Sequence, residues 1–414
     1  MQHHCQVLIV GGGPAGLVLG CLLAMRGVEV VVLERRSYPR QYSRAIGLHP
    51  PALAVMKALG VETAALAEGT RVQAGTAYRG GRPLGSLSFE QAWPERPFVL
   101  TLPQNRTEAL LAQRLCQLAP GALHRGWEVT KITDPVADST TPQLGVQVMA
   151  RNISDGPDVG SARSWQADIV VGADGPHSLV RQTAGIGTRT RNLQDTYLMG
   201  DLAHHTTGAV HPWPTTAAIF LETTGVIESF PLPGRMRRWV AHTGTQLTEE
   251  CPRVLTELIT ERTGEQLDST TSTMISAFHV RRRIAQRMTA GRCVILGDAA
   301  HEVSPIGGQG MTLGWLDAID LAPLLAQVVT SHNPAPLDQM ASFQHLERTR
   351  LAAARAAARQ AELNMVLGRP MPTFAAVLRD AGLKTVLATG MRHRLAKAFT
   401  MRKPLGGAEV QVPQ

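Results

Sequence analysis

An aspartate and a cluster of glycines in the last third of the sequence are the first residues whose types could do chemistry. The stretch CVILGDAAHEVSPIGGQGMTLGW, residues 293–315, ends an apolar run at Asp298 and then gathers Gly307, Gly308, Gly310 and Gly314 around the start of an apolar helix. A carboxylate at a strand end can accept hydrogen bonds from a polyol. Bare backbone amides at a helix start stabilise negative charge on a flat acceptor. The pattern therefore predicts a cradle for a planar, polar group that carries a hydroxylated chain.

The first residues of the chain predict the element that binds the rest of such a molecule. QVLIVGGGPAGLVLGCLLAMRGVEVVVLERR reads as a strand, a tight turn, a helix that starts at Pro14, and a second strand. Gly11, Gly13 and Gly16 fill the G-x-G-x-x-G template, which lets a pyrophosphate approach the backbone at a helix N-terminus. Glu34 follows Gly16 by 18 residues. That spacing suits an acid on adenosine ribose hydroxyls, so the dinucleotide is FAD or NAD rather than NADP.

A third segment ends a strand in the same way. WQADIVVGADGPHSLVR, residues 165–181, is apolar up to Gly172 and then turns at Asp174. Ligands of open α/β sheets collect at the carboxyl ends of the strands, so this segment, the first glycine turn and Asp298 are predicted to meet in one crevice. A local Asx turn is the alternative role for Asp174.

Composition sets limits on the class of protein. The 414 residues suggest two lobes, and 44% hydrophobic with 18% charged residues is typical of a globular enzyme. The net charge is +8, yet the arginines are scattered, which argues against nucleic acid. Five separate cysteines indicate reduced thiols, a cytoplasmic location and no metal site. Residues 7–25 carry no charge, but the glycine turn inside them favours strand–turn–helix over a membrane span or signal peptide.

Together these three segments resemble the single-component FAD-dependent aromatic hydroxylases, the p-hydroxybenzoate hydroxylase-like flavoprotein monooxygenases. The resemblance is carried by GGGPAG with Glu34, by GADGPHSLVR, by GDAAHEVSPIGGQGMTLGWLDA and, more weakly, by SRAIGL and PQNRTEALL. Thr312 and Ser304 stand where members of that family often have asparagine and proline. Residues beyond about 330 carry no strong motif.

The resemblance implies a role for each matching residue. Gly11, Gly13 and Gly16 hold the pyrophosphate, Glu34 the adenosine ribose, and Asp298 the ribityl chain. Arg44 and Gln104 contact phosphates and ribityl, and Asp174 with Arg181 serves FAD and the nicotinamide cofactor. Pro305 lies near the reactive edge of the flavin, and Gly308 to Thr312 serve its pyrimidine end. The full cofactor-binding set is Gly11, Gly13, Pro14, Ala15, Gly16, Glu34, Arg35, Arg44, Gln104, Asp174, Arg181, Asp298, Pro305, Gly308, Gln309, Gly310, Met311 and Thr312.

The implied architecture is α/β and two-lobed, with a Rossmann-like FAD lobe, a mostly antiparallel substrate sheet and a helical tail. The family's order assigns residues 1–73, 98–183 and 273–330 to the FAD lobe. Residues 74–97 and 184–272 form the substrate lobe, and residues 331–414 the C-terminal helices. The sequence agrees in outline, because TAAIFLETTGVIESF alternates as hairpin strands do, and HLERTRLAAARAAARQAELNMVL is rich in helix formers.

The implied activity is a monooxygenase reaction. NAD(P)H binds transiently and reduces the flavin, O2 forms a C4a-hydroperoxyflavin, and one oxygen atom hydroxylates or epoxidises a hydrophobic aromatic, quinone-like or polyketide molecule. No catalytic acid or base can be assigned. Two alternatives stay open: a flavin-dependent reductase of isoprenoid-type double bonds, and a non-catalytic flavin-binding protein. A halogenase is disfavoured, since none of the five lysines falls in the substrate lobe.

Several further residues have an ordinary structural interpretation that we favour. Tyr78 and Tyr197 in the substrate lobe can assist deprotonation of a phenol, but ring packing is the simpler role. The same holds for His204, His205, His211, His242 and His301. The basic segment KTVLATGMRHRLAKAFTMRK suits a helix on the FAD lobe better than contact with an anionic membrane.

Overall fold

The structure, a computed structural model, describes residues 3–39, 44–90, 92–134, 145–154, 159–203, 215–245, 250–331 and 336–401. The strands are β1 (His3–Val10), β2 (Val30–Glu34), β3 (Gly47–Leu48), β4 (Thr70–Val72), β5 (Ala74–Arg79), β6 (Arg82–Ser88), β7 (Val99–Thr101), β8 (Leu123–Arg125), β9 (Trp127–Thr133), β10 (Val146–Asn152), β11 (Ala162–Gly172), β12 (Thr188–Ala203), β13 (Thr216–Glu222), β14 (Gly225–Leu232), β15 (Met236–Thr243), β16 (Met274–Ala285), β17 (Thr289–Ala290), β18 (Cys293–Ile295) and β19 (His301–Glu302). The helices are α1 (Pro14–Ala24), α2 (Pro50–Ala58), α3 (Glu62–Glu68), α4 (Gln104–Leu118), α5 (Leu179–Thr183), α6 (Pro252–Thr263), α7 (Gly310–Thr330), α8 (Ala341–Gly368), α9 (Thr373–Ala388) and α10 (Met391–Phe399).

Parallel strands form the centre of the first sheet, whose order is β17-β18-β11-β1-β2-β8. β1 pairs in parallel with β11 and with β2, and β18 pairs in parallel with β11. β9 and β10 extend this sheet by antiparallel pairing. Because parallel strands end at the same edge, the segments that follow β1, β2, β11 and β18 meet there. The convergence that the sequence predicts is confirmed.

The second sheet has the order β19-β16-β12-β15-β14-β13-β5-β6 and is antiparallel except where β13 pairs with β5. One face packs on α6, through a cluster that contains Trp239, Leu255 and Ile259. The other face carries Tyr197 and Phe278, and it packs against residues from outside the sheet, which are Ile306 and Met365. A small third sheet of β3, β7 and β4 completes the two-lobed α/β fold.

One lobe boundary expected from the sequence disagrees with the pairing of the strands. We expected residues 273–330 to start the last part of the FAD lobe, but β16 pairs with β12 from Thr188 to Asp201, so the strand belongs to the second sheet. Long cross-strand pairing cannot be read from a family's order of motifs, which explains the difference. β5 and β6, within residues 74–97, also lie in the second sheet.

The helix after the glycine loop runs without interruption past Pro323. Pro323 is exposed, and its missing N–H falls on the solvent side. Among the described residues α7 alone is long and apolar enough to cross a membrane. Leu313, Leu321 and Leu325, however, are completely buried in the protein interior, which is the pattern of a core helix.

Candidate functional site

The turn after β1 is shaped by glycine and left open on its outer side. Gly11 has a φ of +107°, and a Cβ there would overlap the carbonyl oxygen of Ala173, which follows β11. This close approach joins two of the three converging segments. A Cβ at Gly13 would meet nothing within 4 Å. The backbone at Gly13 therefore borders open space at the N-terminus of α1, as a site for a pyrophosphate requires.

The start of α1 also touches the third segment. The Cβ of Ala15 lies 3.3 Å from the position that a Cβ would take at Gly297, and equally close to such a position at Gly314 on α7. Any larger side chain at either glycine would push α1 and α7 apart. Glycines thus bring the first turn, the Asp298 turn and the start of α7 into one crevice.

Glu34 is fixed by its own neighbours at the end of β2. It is 4% exposed, and it accepts hydrogen bonds from Gly12 N at 2.8 Å, from Arg36 N at 2.9 Å and from Arg36 Nε at 2.8 Å. Burial opposes ionisation, but the bonds and charge of Arg36 hold the pKa of Glu34 below its usual value. Arg36 therefore accompanies Glu34, whereas Arg35, the arginine we singled out from the sequence, is exposed.

A buried acid that the sequence analysis missed extends this group. Glu108 on α4 is 1% exposed; its Oε1 accepts a hydrogen bond from Gln104 Nε2 at 2.8 Å. Its Oε2 lies 3.9 Å from Arg36 Nη1 and has no hydrogen-bond partner in the described part of the chain. The signal was available, because Gln104 and Glu108 are four residues apart on one helix and face the same way.

Asp174 has a local role in the turn after β11. Its Oδ2 accepts hydrogen bonds from Leu179 N at 2.7 Å and Val180 N at 3.2 Å in the first turn of α5. These bonds reach five and six residues along the chain, so they are not the Asx turn that we considered as the alternative. Burial raises the pKa of Asp174, although hydrogen bonds to its charged form oppose the rise. Arg181 is buried and donates to the carbonyl oxygens of Ala299 and Pro176, each at 2.8 Å. Arg181 thus braces the turn at Asp298, and Asp174 holds the start of the helix that carries Arg181.

Asp298 itself is exposed in a 3-10 turn that a buried ionic group holds in place. Asp317 on α7 accepts hydrogen bonds from Gly297 N at 3.0 Å, His301 Nε2 at 2.6 Å and Arg350 Nε at 2.7 Å. Burial favours the neutral form of Asp317, but the charges of His301 and Arg350 keep the pKa of Asp317 well below its usual range. His301 shapes the loop, as the simpler interpretation expects.

The glycine loop leads directly into α7. Gly308 N donates to the carbonyl oxygen of exposed Pro305 at 2.9 Å, and Gln309 is the residue before the helix. His49 Nε2 lies 3.2 Å from the carbonyl oxygen of Gly307, so Nε2 carries the proton. Burial lowers the pKa of His49 to about 4 and keeps the ring neutral.

The first turn of α7 carries the remaining residues of the predicted set. Gly310 and Met311 are half-buried, while Thr312 is fully buried. The hydroxyl of Thr312 has no hydrogen-bond partner in the described ranges. An orphan polar atom at a helix start, next to a glycine loop, fits a polar planar group such as a flavin ring.

Arg44 lies against the second sheet. Its Nε donates to Ser276 Oγ at 3.2 Å, its guanidinium stands 5.5 Å from the ring centre of Phe278, and its carbonyl oxygen accepts from Arg238 Nη1 at 2.6 Å. The residue therefore joins the segment before β3 to the second sheet.

The two tyrosines point to opposite faces of the second sheet. Tyr78 stacks on Phe220 with ring centres 5.2 Å apart, on the face that packs on α6. Tyr197 stacks on Phe278 at 5.5 Å, on the face toward Ile306. His242 lies 3.5 Å from Asp195; His204, His205 and His211 are outside the described residues. Within those residues no three His, Cys, Asp or Glu side chains form a metal site.

Comparison with known proteins gives one matching family. The family model described as "FAD binding domain" matches residues 4–360. A 6-methylpretetramide 4-monooxygenase of Streptomyces rimosus is 34% identical over 339 residues, which are 79% of this chain and 56% of that relative. The chain thus spans little more than half the length of that relative.

Solved structures show the same fold over nearly the whole chain. A p-nitrophenol 4-monooxygenase of Pseudomonas putida superposes with a TM-score of 0.84 at 21% identity, covering 99% of this chain and 100% of that one. An anhydrotetracycline hydroxylase of Streptomyces rimosus gives 0.75 at 26% identity, covering 97% and 76%.

Proposed function

The chain belongs to the FAD-binding domain family, and from this membership we propose that it is an NAD(P)H- and O2-dependent monooxygenase. Its substrate is a hydrophobic aromatic or polyketide small molecule, which it hydroxylates or epoxidises. The name of the 6-methylpretetramide 4-monooxygenase supports this substrate class, since that relative acts on an aromatic polyketide.

One observation carries the proposal. The apolar face of the second sheet, with Phe278 and Val240, packs against Ile306, which directly follows Pro305 in the glycine loop. A flat apolar molecule held by that face lies beside the group that the loop binds. The face excludes water from the place of reaction.

Different residues of the site fit different parts of FAD. We assign the pyrophosphate to the turn of Gly11, Gly13 and Gly16, and the adenosine ribose to Glu34 with Arg36. The ribityl chain goes to Asp298. When bound, FAD supplies the redox chemistry, which is hydride uptake from NAD(P)H and activation of O2.

The loop and the start of α7 hold the ring. Backbone amides from Gly308 to Thr312 face its pyrimidine end and stabilise negative charge there through the helix dipole. Gln104, Arg44, Asp174 and Arg181 act around this core by fixing the loops. NAD(P)H binds transiently across the crevice.

The bounds of the two lobes are adjusted to the strand pairing, which puts β16 in the second sheet. We propose that the FAD lobe comprises residues 1–73 and 98–183 with the segment from 286 to 330, and that the substrate lobe comprises 74–97 and 184–285. All five cysteines are free, and burial raises the pKa of Cys5, Cys21 and Cys293 to about 12. Five cysteines without a disulfide suit an enzyme of the cytoplasm.

A substrate screen tests the function. Holoenzyme is mixed with NADH or NADPH and a panel of phenols, quinones and aromatic polyketides, and flavin bleaching is followed by stopped flow. We expect at least one compound to speed bleaching by about tenfold or more and to gain one oxygen atom from ¹⁸O2 by mass spectrometry. Product formed under nitrogen would instead indicate a reductase, and bleaching that no compound changes would indicate a non-catalytic flavin protein.

A further inference from the structure

Glu228 is a buried acid in the middle of the second sheet. It lies on β14 and pairs across the strands with Ile219 on β13 and Val240 on β15. The residue is 9% exposed. Within the described residues no hydrogen bond or ion pair to its carboxyl group occurs. An acid in such surroundings needs a polar partner.

The side chain points toward the glycine loop and away from α6. Side chains alternate along β14, so Glu228 shares a face with Val226, whereas Ile227 belongs to the cluster on α6. Val226 and Val240 pack in the same cluster as Ile306. Glu228 is therefore an acid on the wall that faces the flavin-side loop.

The charged groups that lie near Glu228 on this face already have partners of their own. Arg238 bonds Asp201 through Nε and Nη2, both at 2.7 Å, and His242 lies beside Asp195. Tyr197 adds a hydroxyl that is buried and has no hydrogen-bond partner in the part of the chain described. From the elements that cover the face, α8 and the loop contribute the apolar Met365 and Ile306. Arg369, the residue after α8, donates to both carboxylate oxygens of Asp195 at 2.8 and 2.7 Å, and Arg44 lies over Phe278.

These surroundings set the protonation of the two groups. Burial alone raises the pKa of Glu228 to about 7. Burial and then the charge of Glu228 raise the pKa of Tyr197 far above its ordinary value. Glu228 thus exchanges a proton near neutral pH, and Tyr197 only donates a hydrogen bond.

We propose that Glu228 binds a hydroxyl group of the aromatic substrate and takes its proton. In this step the O–H bond of a phenolic or enolic hydroxyl breaks, an O–H bond forms on the carboxylate, and the electron pair stays on the substrate oxygen. The resulting oxyanion makes the ring more electron-rich, which favours attack by electrophilic oxygen. The proposal rests on the proposed function, and it narrows the substrate to molecules with a hydroxyl on the ring to be oxidised.

A pair of probes separates the roles of charge and shape. Binding of 1-naphthol and of 1-methoxynaphthalene to the oxidised holoenzyme is measured from the flavin absorbance between pH 5.5 and 8.5. For the wild type we expect 1-naphthol to bind more tightly as the pH rises through about 7, and the ether to show no such change. For Glu228→Gln we expect about tenfold weaker 1-naphthol binding at pH 8, a flat pH profile and unchanged ether binding.

Glu222→Gln is the matched control, because Glu222 is the last residue of the neighbouring β13 and, among the described residues, its carboxylate accepts a single hydrogen bond, from Gly80 N at 2.8 Å. It should behave as wild type. A wild type that does not prefer 1-naphthol to its ether, or an equal effect of both variants, overturns the proposal. These binding readings do not require oxygen transfer, so failure of the monooxygenase function is detected separately.

The thermal stability of the protein without substrate is a second test of the role of Glu228. The raised pKa of Glu228 means that the folded protein keeps a proton that the unfolded chain releases above about 4.5, so its contribution to stability falls as the pH rises to about 7. Glu228→Gln should therefore raise the melting temperature at pH 8 relative to wild type. A lower melting temperature there would mean that the acid has a structural partner, and would contradict the proposal.

Discussion

At the scale of residues, buried charges position the groups that the cofactor needs. Asp317 and Arg350 are each 1% exposed, and their ion pair connects the turn of Asp298 to α8 through α7. Removing one partner of such a pair leaves the other charge buried without compensation. The turn of Asp298 is thus held in place by buried charged groups on α7 and α8.

Asp317→Asn should therefore lower the free energy of unfolding by about 3–5 kcal/mol. The measurement is urea denaturation of the holoprotein at pH 7. Glu257→Gln serves as the control, because Glu257 forms an exposed pair with Arg253 at 3.5 Å and such pairs contribute little. Similar stability of the two variants would show that the buried group is not what holds the turn.

Single residues also mark what the sequence can and cannot predict. Gly11 and Glu34 are identified by spacing, because a pyrophosphate turn and a ribose acid need fixed positions along one βαβ unit. Arg36 and Glu108 are not part of the motif, and their contact depends on how α4 packs beside β2. Glu228 escapes it too, because an acid within GVIESFPL reads only as an interruption of an apolar strand.

At the scale of elements, the C-terminal helix packs on the body of the protein. Phe399 at the end of α10 stacks on Phe89 with ring centres 5.3 Å apart, and it meets His49 edge-on at 5.8 Å. His49 in turn bonds the carbonyl group of Gly307. The helix that we expected to pack on the FAD lobe thus contacts residues of both expected lobes, Phe89 in one and His49 in the other, with Arg392, Arg394 and Lys397 exposed.

Phe399→Ala should weaken FAD binding and lower the free energy of unfolding by about 2 kcal/mol, since a half-buried aromatic contact behind the glycine loop is lost. Fluorescence titration with FAD and thermal denaturation measure the two effects. Phe374→Ala is the same substitution at a side chain that is 71% exposed, and neither quantity should change in it. Equal FAD affinity in both variants would separate α10 from the cofactor site.

Element types follow from local patterns, while their partners do not. The strand–turn–helix at the N-terminus and the long helix α8 are predicted from periodicity and helix formers. The assignment of β16 to the second sheet depends on pairing between strands 80 residues apart, as Thr196 with His279 shows. Motif order alone does not indicate the sheet in which that strand pairs.

At the scale of the whole molecule, two sheets meet at one crevice. The parallel sheet delivers its strand ends, and the second sheet presents an apolar face with a single unpaired acid among the residues described. The sequence predicts the parallel sheet and its strand ends, because motifs that bind the same cofactor keep the same residues and spacing. The apolar face of the second sheet has no motif. Its residues are neighbours across strands, and the register of those strands is seen only in the folded chain.

The most direct measurement of the central claim is titration of the apoprotein with FAD, followed by flavin fluorescence, for the wild type, Gly11→Ala and Gly75→Ala. Gly11 has a positive φ and no room for a Cβ, whereas a Cβ at Gly75 meets nothing within 4 Å. We predict saturable binding of one FAD per chain in the wild type and in Gly75→Ala, and at least about a hundredfold weaker binding in Gly11→Ala. A wild-type protein that does not bind FAD, or a Gly11→Ala variant that binds it as tightly, would contradict the account.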